Sequence, residues 1–254
     1  MHTTSSPLQA VVFDLDGVLL DTEPLYIVAE QAIVDAYAER PGDVRQLTPQ
    51  LLGTSAVDSA RRVIDTYRLG VSVEAYLQER DRILCERLSQ VRLLPGARRW
   101  SDHLQRVGVP QAIATSSSRA MWARKLAVHA EFFRRFDGLV VCNDDVERGK
   151  PAPDIFLAAL ARLQQRTTTP LEAARTWVFE DAPAGVLGAK RAGMPCVAVR
   201  NEHTPVTAYA AADKVLGSLV DVRPEWFGLP PYIQADGAVD GSAELPSKSS
   251  TAGP

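Results

Sequence analysis

The chain has 254 residues, 46% of them hydrophobic and 23% charged, with a formal net charge of −3; this is the make-up of a globular protein, not of a disordered or fibrous one. No basic cluster or stripe stands out, so nothing points to a nucleic-acid partner, and no run approaches the roughly 18 apolar residues of a membrane-spanning helix. Cys85, Cys142 and Cys196 are scattered without metal-type spacing, as expected of a reduced, cytoplasmic protein.

The opening MHTTSSPLQ has neither the basic start nor the apolar stretch of a secretory signal, and residues 1–7 are expected to form a flexible tail. Ala10, Val11, Val12 and Phe13 then make an unbroken apolar run, the pattern of a strand buried on both faces of a parallel sheet. The run ends in Asp14, Asp16 and Gly17. Carboxylates at the end of a buried strand must be met by a cation or by hydrogen-bond donors, and Gly17 permits a tight turn and close approach of a ligand. In an extended chain Asp14 and Asp16 point the same way, beyond the strand end. One can serve as nucleophile while the other moves a proton. Alone, D-x-D-G is also an ordinary turn, so the rest of the chain decides.

Asp21 and Thr22 before Glu23 and Pro24 predict a helix start, with a capping side chain and an early proline. Apolar positions from Leu25 to Ala36 recur at helical spacing over residues 25–39, until Pro41-Gly42. Further helices are predicted at 49–52, 56–67 and 73–88, with no strand-like alternation anywhere between 25 and 90. Residues 23–91 thus read as an all-α insertion, a cap over the first strand's end that returns through Leu93-Leu94-Pro95-Gly96.

From there strands and helices alternate. Helix 97–107 precedes strand 110–114, which leads into Thr115-Ser116-Ser117-Ser118. Helix 119–136 precedes strand 138–142, and helix 153–166 precedes strand 177–179, which leads into Glu180-Asp181. Helix 183–192, strand 195–199 and a short strand at Val215-Leu216 follow. This alternation predicts an α/β fold, a Rossmann-like three-layer parallel-sheet core from residues 8–22 and 92–232. The Pro224 to Tyr232 stretch is expected to pack back on that core, and residues 234–254 to be a second flexible tail.

In such sheets ligands sit beyond the carboxyl ends of the strands. Asp14 and Asp16, Thr115 and Ser116, and Glu180 and Asp181 all stand at those ends, and Lys150 stands just before a helix. Together they would make a carboxylate cluster suited to Mg²⁺, with a hydroxyl, a backbone N–H and an ammonium for the phosphoryl oxygens. Each part has a plainer reading as a cap or turn; their coincidence at successive strand ends does not.

The segments DLDGVLLDTE, IATSS, RGKPAPDIF and VFEDAPAGV resemble the four motifs of the haloacid-dehalogenase-like superfamily, with a helical cap after the first. The resemblance implies an Mg²⁺-dependent hydrolase in which Asp14 forms an aspartyl-phosphate and Asp16 is the general acid and base, its carbonyl touching the metal. It implies phosphate binding by Thr115, Ser116 and Lys150, and metal ligation by Asp181 with Glu180 beside it. EFF, GKPAPDIFLAA and PEWFGLPPY are similar to the pseudouridine-5′-phosphatase group, whose relatives include glycerol-phosphate phosphatases. The expected partner is a small phosphorylated metabolite, and the expected state a monomer. β-Phosphoglucomutases also resemble the chain, but have a cap histidine where Tyr26 stands and an arginine where Ala56 falls. That favours hydrolysis over mutase chemistry, which stays as the alternative. The stretch from Leu52 to Ala56 is expected to face the substrate. A phospho-acceptor signalling domain, which also gathers acids, a hydroxyl and a lysine at strand ends, is the remote alternative.

Overall fold

The computed structural model describes residues 8–51, 54–201 and 204–233, at Pro49 the backbone alone. Both expected tails, and Leu52 and Gly53 of the expected substrate-facing stretch, lie outside the described residues.

Six strands form one sheet: β1 (Ala10–Phe13), β2 (Gln111–Ala114), β3 (Val140–Val141), β4 (Thr176–Glu180), β5 (Cys196–Val199) and β6 (Lys214–Leu216). Their order is β3-β2-β1-β4-β5-β6, and every pairing is parallel. β1 is central, and its side chains are divided by pleat. Val11 and Phe13 join one apolar cluster, with Trp100, Phe132, Phe136 and Phe179. Ala10 and Val12 join another, with Ile155, Phe156 and Val186. An apolar run without alternation is what a strand covered on both faces requires.

The covering helices are α1 (Glu23–Tyr37), α2 (Thr48–Leu51), α3 (Ala56–Tyr67), α4 (Val73–Arg87), α5 (Ala97–Arg106), α6 (Arg119–Val128), α7 (Ala130–Phe133), α8 (Asp154–Gln164) and α9 (Pro183–Arg191). α8 and α9 contribute to the second cluster, and α5, α6 and α7 to the first. α4 packs against both α1 and α3, and Ile33, Val63 and Tyr76 are buried in this layer. The connections into and out of this helical layer run side by side, tied by Asp21 N–H to the Arg92 carbonyl (2.9 Å) and Leu94 N–H to the Leu19 carbonyl (3.0 Å).

Local chemistry explains most boundaries. Ser55, Ser72 and Ser118 accept backbone N–H bonds as N-caps of α3, α4 and α6. The helix predicted over 119–136 is broken: it stops at Val128, His129 leaves helical geometry (φ −129°, ψ 44°), and α7 restarts at Ala130. The His129 ring reaches the Val91 carbonyl at 2.9 Å; the new direction buries Phe132, Phe133 and Phe136, burial that outweighs helical continuity. The Pro224–Phe227 turn packs against the sheet as expected. Leu8 N–H bonds the Phe227 carbonyl at 3.1 Å, and the Phe227 ring lies 5.6 Å from Trp100 and 5.9 Å from Phe179.

Candidate active site

The strand order reverses between β1 and β4, and a parallel sheet opens its ligand crevice beyond the carboxyl ends at that point. A cleft of about 300 Å³ lies there, between the sheet end and the helical layer. Asp14 follows β1, and Glu180 and Asp181 lie at the end of β4. The Lys150 ammonium donates to the Asp14 carboxylate, to Glu180 Oε1 at 2.6 Å and to the Ala114 carbonyl at 3.0 Å. The other Glu180 oxygen accepts the Ala182 N–H at 2.8 Å. Glycines permit these approaches: a Cβ at Gly17 would fall 2.0 Å from Asp181 Oδ2, and one at Gly185 1.7 Å from Glu180 Oε1. Gly17 also has φ +81°, a left-handed conformation that strains residues bearing a side chain.

Two buried carboxylates thus share one ammonium, with a third, Asp181, buried in the same cleft without one of its own. Burial pushes the Asp14 carboxyl up to about 7 against the pull of Lys150, with Glu180 and Asp16 adding to the rise. Burial, then Glu180 and Asp14, raise Asp181 well above its ordinary value. Such a site is short of positive charge and rich in oxygen donors, the chemistry of a hard divalent cation. Among the described residues no three His, Cys, Asp or Glu side chains form a cage by themselves; Mg²⁺ commonly takes one or two carboxylates and completes its shell with water and phosphate.

Asp16 is held apart from that group. Lys125, only 1% exposed, donates to both its carboxylate oxygens, at 2.6 and 2.7 Å. Thr22 Oγ1 donates at 2.7 Å and Ser117 Oγ at 3.0 Å. Burial acts to raise the Asp16 carboxyl, but the Lys125 charge and these hydrogen bonds outweigh it and hold it below its ordinary value. Thr22, expected to cap α1, makes no side-chain cap bond; its hydroxyl goes to the carboxylate, the stronger acceptor. The hydroxyls after β2 divide similarly. Thr115 Oγ1 accepts the Ser117 N–H at 3.0 Å, Ser117 serves Asp16, and Ser118 caps α6. Ser116 lines the cleft.

Six of the seven sequence-predicted residues are gathered: Asp14, Asp16, Ser116, Lys150, Glu180 and Asp181 all line one cleft, while Thr115, directly after β2, is fully buried behind its lining. Sequence reasoning missed Lys125, Ser117, Glu30 and Arg80. Lys125 and Glu30 sit within helical patterns, where a charge reads as solvent-facing; each is buried instead. Their one signal was position on a helix whose remaining face is needed for the core. Tyr26, noted only as the replacement of a histidine, is flanked by Lys125 Nζ, 5.4 Å from its ring centroid, and by Arg80, 5.6 Å away. Ala56 lines the cleft.

Residues 8–193 match the family described as haloacid dehalogenase-like hydrolase. The chain belongs to this family. It is 38% identical over 224 residues to a probable pseudouridine-5′-phosphatase of Drosophila melanogaster, covering 87% of this chain and 94% of that one. It is 36% identical over 225 residues to (DL)-glycerol-3-phosphatase 2 of Arabidopsis thaliana, covering 87% and 92%. A crystal structure of a putative β-phosphoglucomutase from Thermotoga maritima superposes with a TM-score of 0.64 at 27% identity, covering 87% of this chain and 96% of that one. The family and these phosphatase relatives make the chain an enzyme of the phosphatase kind. Among the described residues no helix is long and apolar enough to cross a membrane.

Proposed function

We propose that this phosphatase hydrolyses a small phosphate monoester of the nucleotide, sugar or polyol kind, pseudouridine 5′-phosphate and glycerol phosphate among them, through an aspartyl-phosphate at Asp14. One observation carries the reading: a nucleophile candidate and a proton-transfer candidate leave the same strand end, each with its own buried lysine. Residues 8–22 and 92–232 would be the catalytic core, and residues 23–91 its cap.

Asp14 attacks phosphorus in line, and the bond to the leaving oxygen breaks as Asp16 supplies that oxygen with a proton. Asp16, now a carboxylate, takes a proton from the water that attacks the aspartyl-phosphate, restoring Asp14 and releasing inorganic phosphate. Thr115, the Ser116 N–H and Lys150 hold the remaining phosphoryl oxygens, where negative charge gathers during transfer. The three Lys150 N–H donors are otherwise taken by Asp14, Glu180 and Ala114, so Lys150 must release Asp14 to do so. Asp14, Asp181 and the Asp16 carbonyl would hold Mg²⁺. Glu180, expected among the ligands, has both oxygens engaged; its role in this scheme is to position Lys150. When bound, Mg²⁺ neutralises phosphoryl charge and keeps the carboxylates ionised. Lys125, Thr22 and Ser117 hold Asp16 ionised, so to serve as the acid it must first give up these bonds and take up a proton as substrate binds. The helical layer excludes bulk water during the first step.

The mutase alternative gains nothing from the helical layer, where the Tyr26 hydroxyl accepts from Lys125 at 3.3 Å in the histidine's place. The test is phosphate release with Mg²⁺ across nucleotide, sugar and polyol monophosphates. Inorganic phosphate should match substrate loss, and Asp14→Asn should lower turnover by at least about 10³-fold with its melting temperature retained. Wild-type turnover in that variant, or an isomeric sugar phosphate as sole product, would sink the scheme.

A further inference from the structure

The helical wall of the cleft carries a feature that phosphoryl chemistry does not use. Glu30, on α1, is 6% exposed, yet it lines the cleft and no hydrogen bond or ion pair to it is found among the described residues. Opposite it on α4, Arg80 is also 6% exposed and lines the same cleft. Its Nε and Nη2 are taken by Asp81 Oδ1, at 3.2 and 2.9 Å. Tyr76, on the same helix, has a buried hydroxyl without a partner. Buried polar groups are ordinarily hydrogen-bonded, and an unpaired buried carboxylate is costly. The arrangement makes sense when something else fills the cleft.

We infer that Glu30, with Arg80 beside it, reads the leaving group, so that the cleft selects a neutral, hydroxyl-bearing alcohol over one with a second anionic group. This rests on the phosphatase reading above and deepens it. With the phosphoryl group at the sheet end, the leaving group must project toward the helical wall. With Glu30 ionised, Glu30, Arg80 and Asp81 together carry one net negative charge there, and with Glu30 protonated none, so the wall offers a second phosphate or carboxylate no net positive charge in either form. A carboxylate only accepts hydrogen bonds, so a leaving group that satisfies Glu30 must donate; Arg80 donates through the nitrogen that Asp81 leaves. A hydroxyl does both. Burial raises the Glu30 carboxyl to about 7, with Arg80 opposing the rise, and a hydroxyl can partner either form. Ile27, Leu51 and Leu77 line the same cleft and limit how much charge it accepts.

The test uses the full chain with Mg²⁺ and compares kcat/KM for glycerol 3-phosphate with that for p-nitrophenyl phosphate, whose leaving group has no such hydroxyls. The ratio is independent of how much protein is folded. Glu30→Leu should lower it at least about tenfold, as expected for loss of a hydrogen bond to a charged group, chiefly through KM. Glu30→Gln, which keeps an acceptor oxygen, should lower it less. Wild type should prefer glycerol 3-phosphate to fructose 1,6-bisphosphate, and Glu30→Lys should narrow that preference. An unaltered ratio in Glu30→Leu, or a wild-type preference for the bisphosphate, would overturn the inference. Failure of wild type to release phosphate from every ester would instead overturn the phosphatase reading.

Discussion

The two walls of the cleft are built on opposite principles. At the sheet end, Lys150 answers Asp14 and Glu180, while Lys125, Thr22 and Ser117 answer Asp16. On the helical side, Glu30 lines the cleft with the Arg80 charge beside it but no hydrogen bond to it among the described residues. A wall dense in internal bonds holds its groups in place before substrate arrives, ready for chemistry common to all esters. A wall with open polar groups leaves its bonding to the substrate, and so discriminates.

The largest expected effect tests the chemical wall. Asp16→Asn should lower kcat by about 10²–10⁴-fold, the range of general acid–base catalysis, and burst kinetics should still reveal Asp14 phosphorylation with an activated aryl ester. A kcat within twofold of wild type would remove Asp16 from the scheme.

Lys125→Met comes next. It leaves the Asp16 carboxylate without its buried ammonium, and breaking such a pair costs about 3–5 kcal/mol of stability, measurable by urea unfolding. Lys125→Arg should recover part of that loss. If Lys125→Met is as stable as wild type, the ion pair does not hold the sheet end together.

The smallest effect concerns the discriminating wall and is read through pH. Glu30 in the folded chain is raised to about 7 from an ordinary 4.5. Below pH 4.5 both folded and unfolded forms are protonated, and the group contributes nothing. Between those values the folded chain binds more protons, so stability falls as pH rises; above about 7 the loss levels off. The full loss is about 3 kcal/mol. Glu30→Gln should remove this slope, so the variant gains on wild type from pH 4.5 to 7.5 in urea melts. Parallel stability curves would show that the carboxylate is already compensated.

The same contrast governs how much was legible in the chain. The sheet end was, because its residues stand at the ends of apolar runs: Asp14 after Ala10–Phe13, Thr115 after Gln111–Ala114. Strand and helix order followed from alternating periods, and the structure departs mainly at His129, where burial of Phe132 and Phe133 redirects the chain. Lys125 was illegible, since its partner lies 109 residues away and nothing local distinguishes it from a solvated lysine. Glu30 and Arg80 were hidden likewise: a charge at a helical position becomes informative only when the packing of α1 against α4 shows which side faces inward. Thr22 misled because capping is a local rule, and a carboxylate six residues back outbid it.

Gly17 has a last consequence. Where any other residue would carry carbon, it presents hydrogen to the Asp181 carboxylate. The gauge between the first and fourth strand ends is therefore set by an atom with no bulk to spare. Alanine there would act as a shim, forcing Asp181 aside and spoiling the spacing of the sheet end before any charged group had been altered.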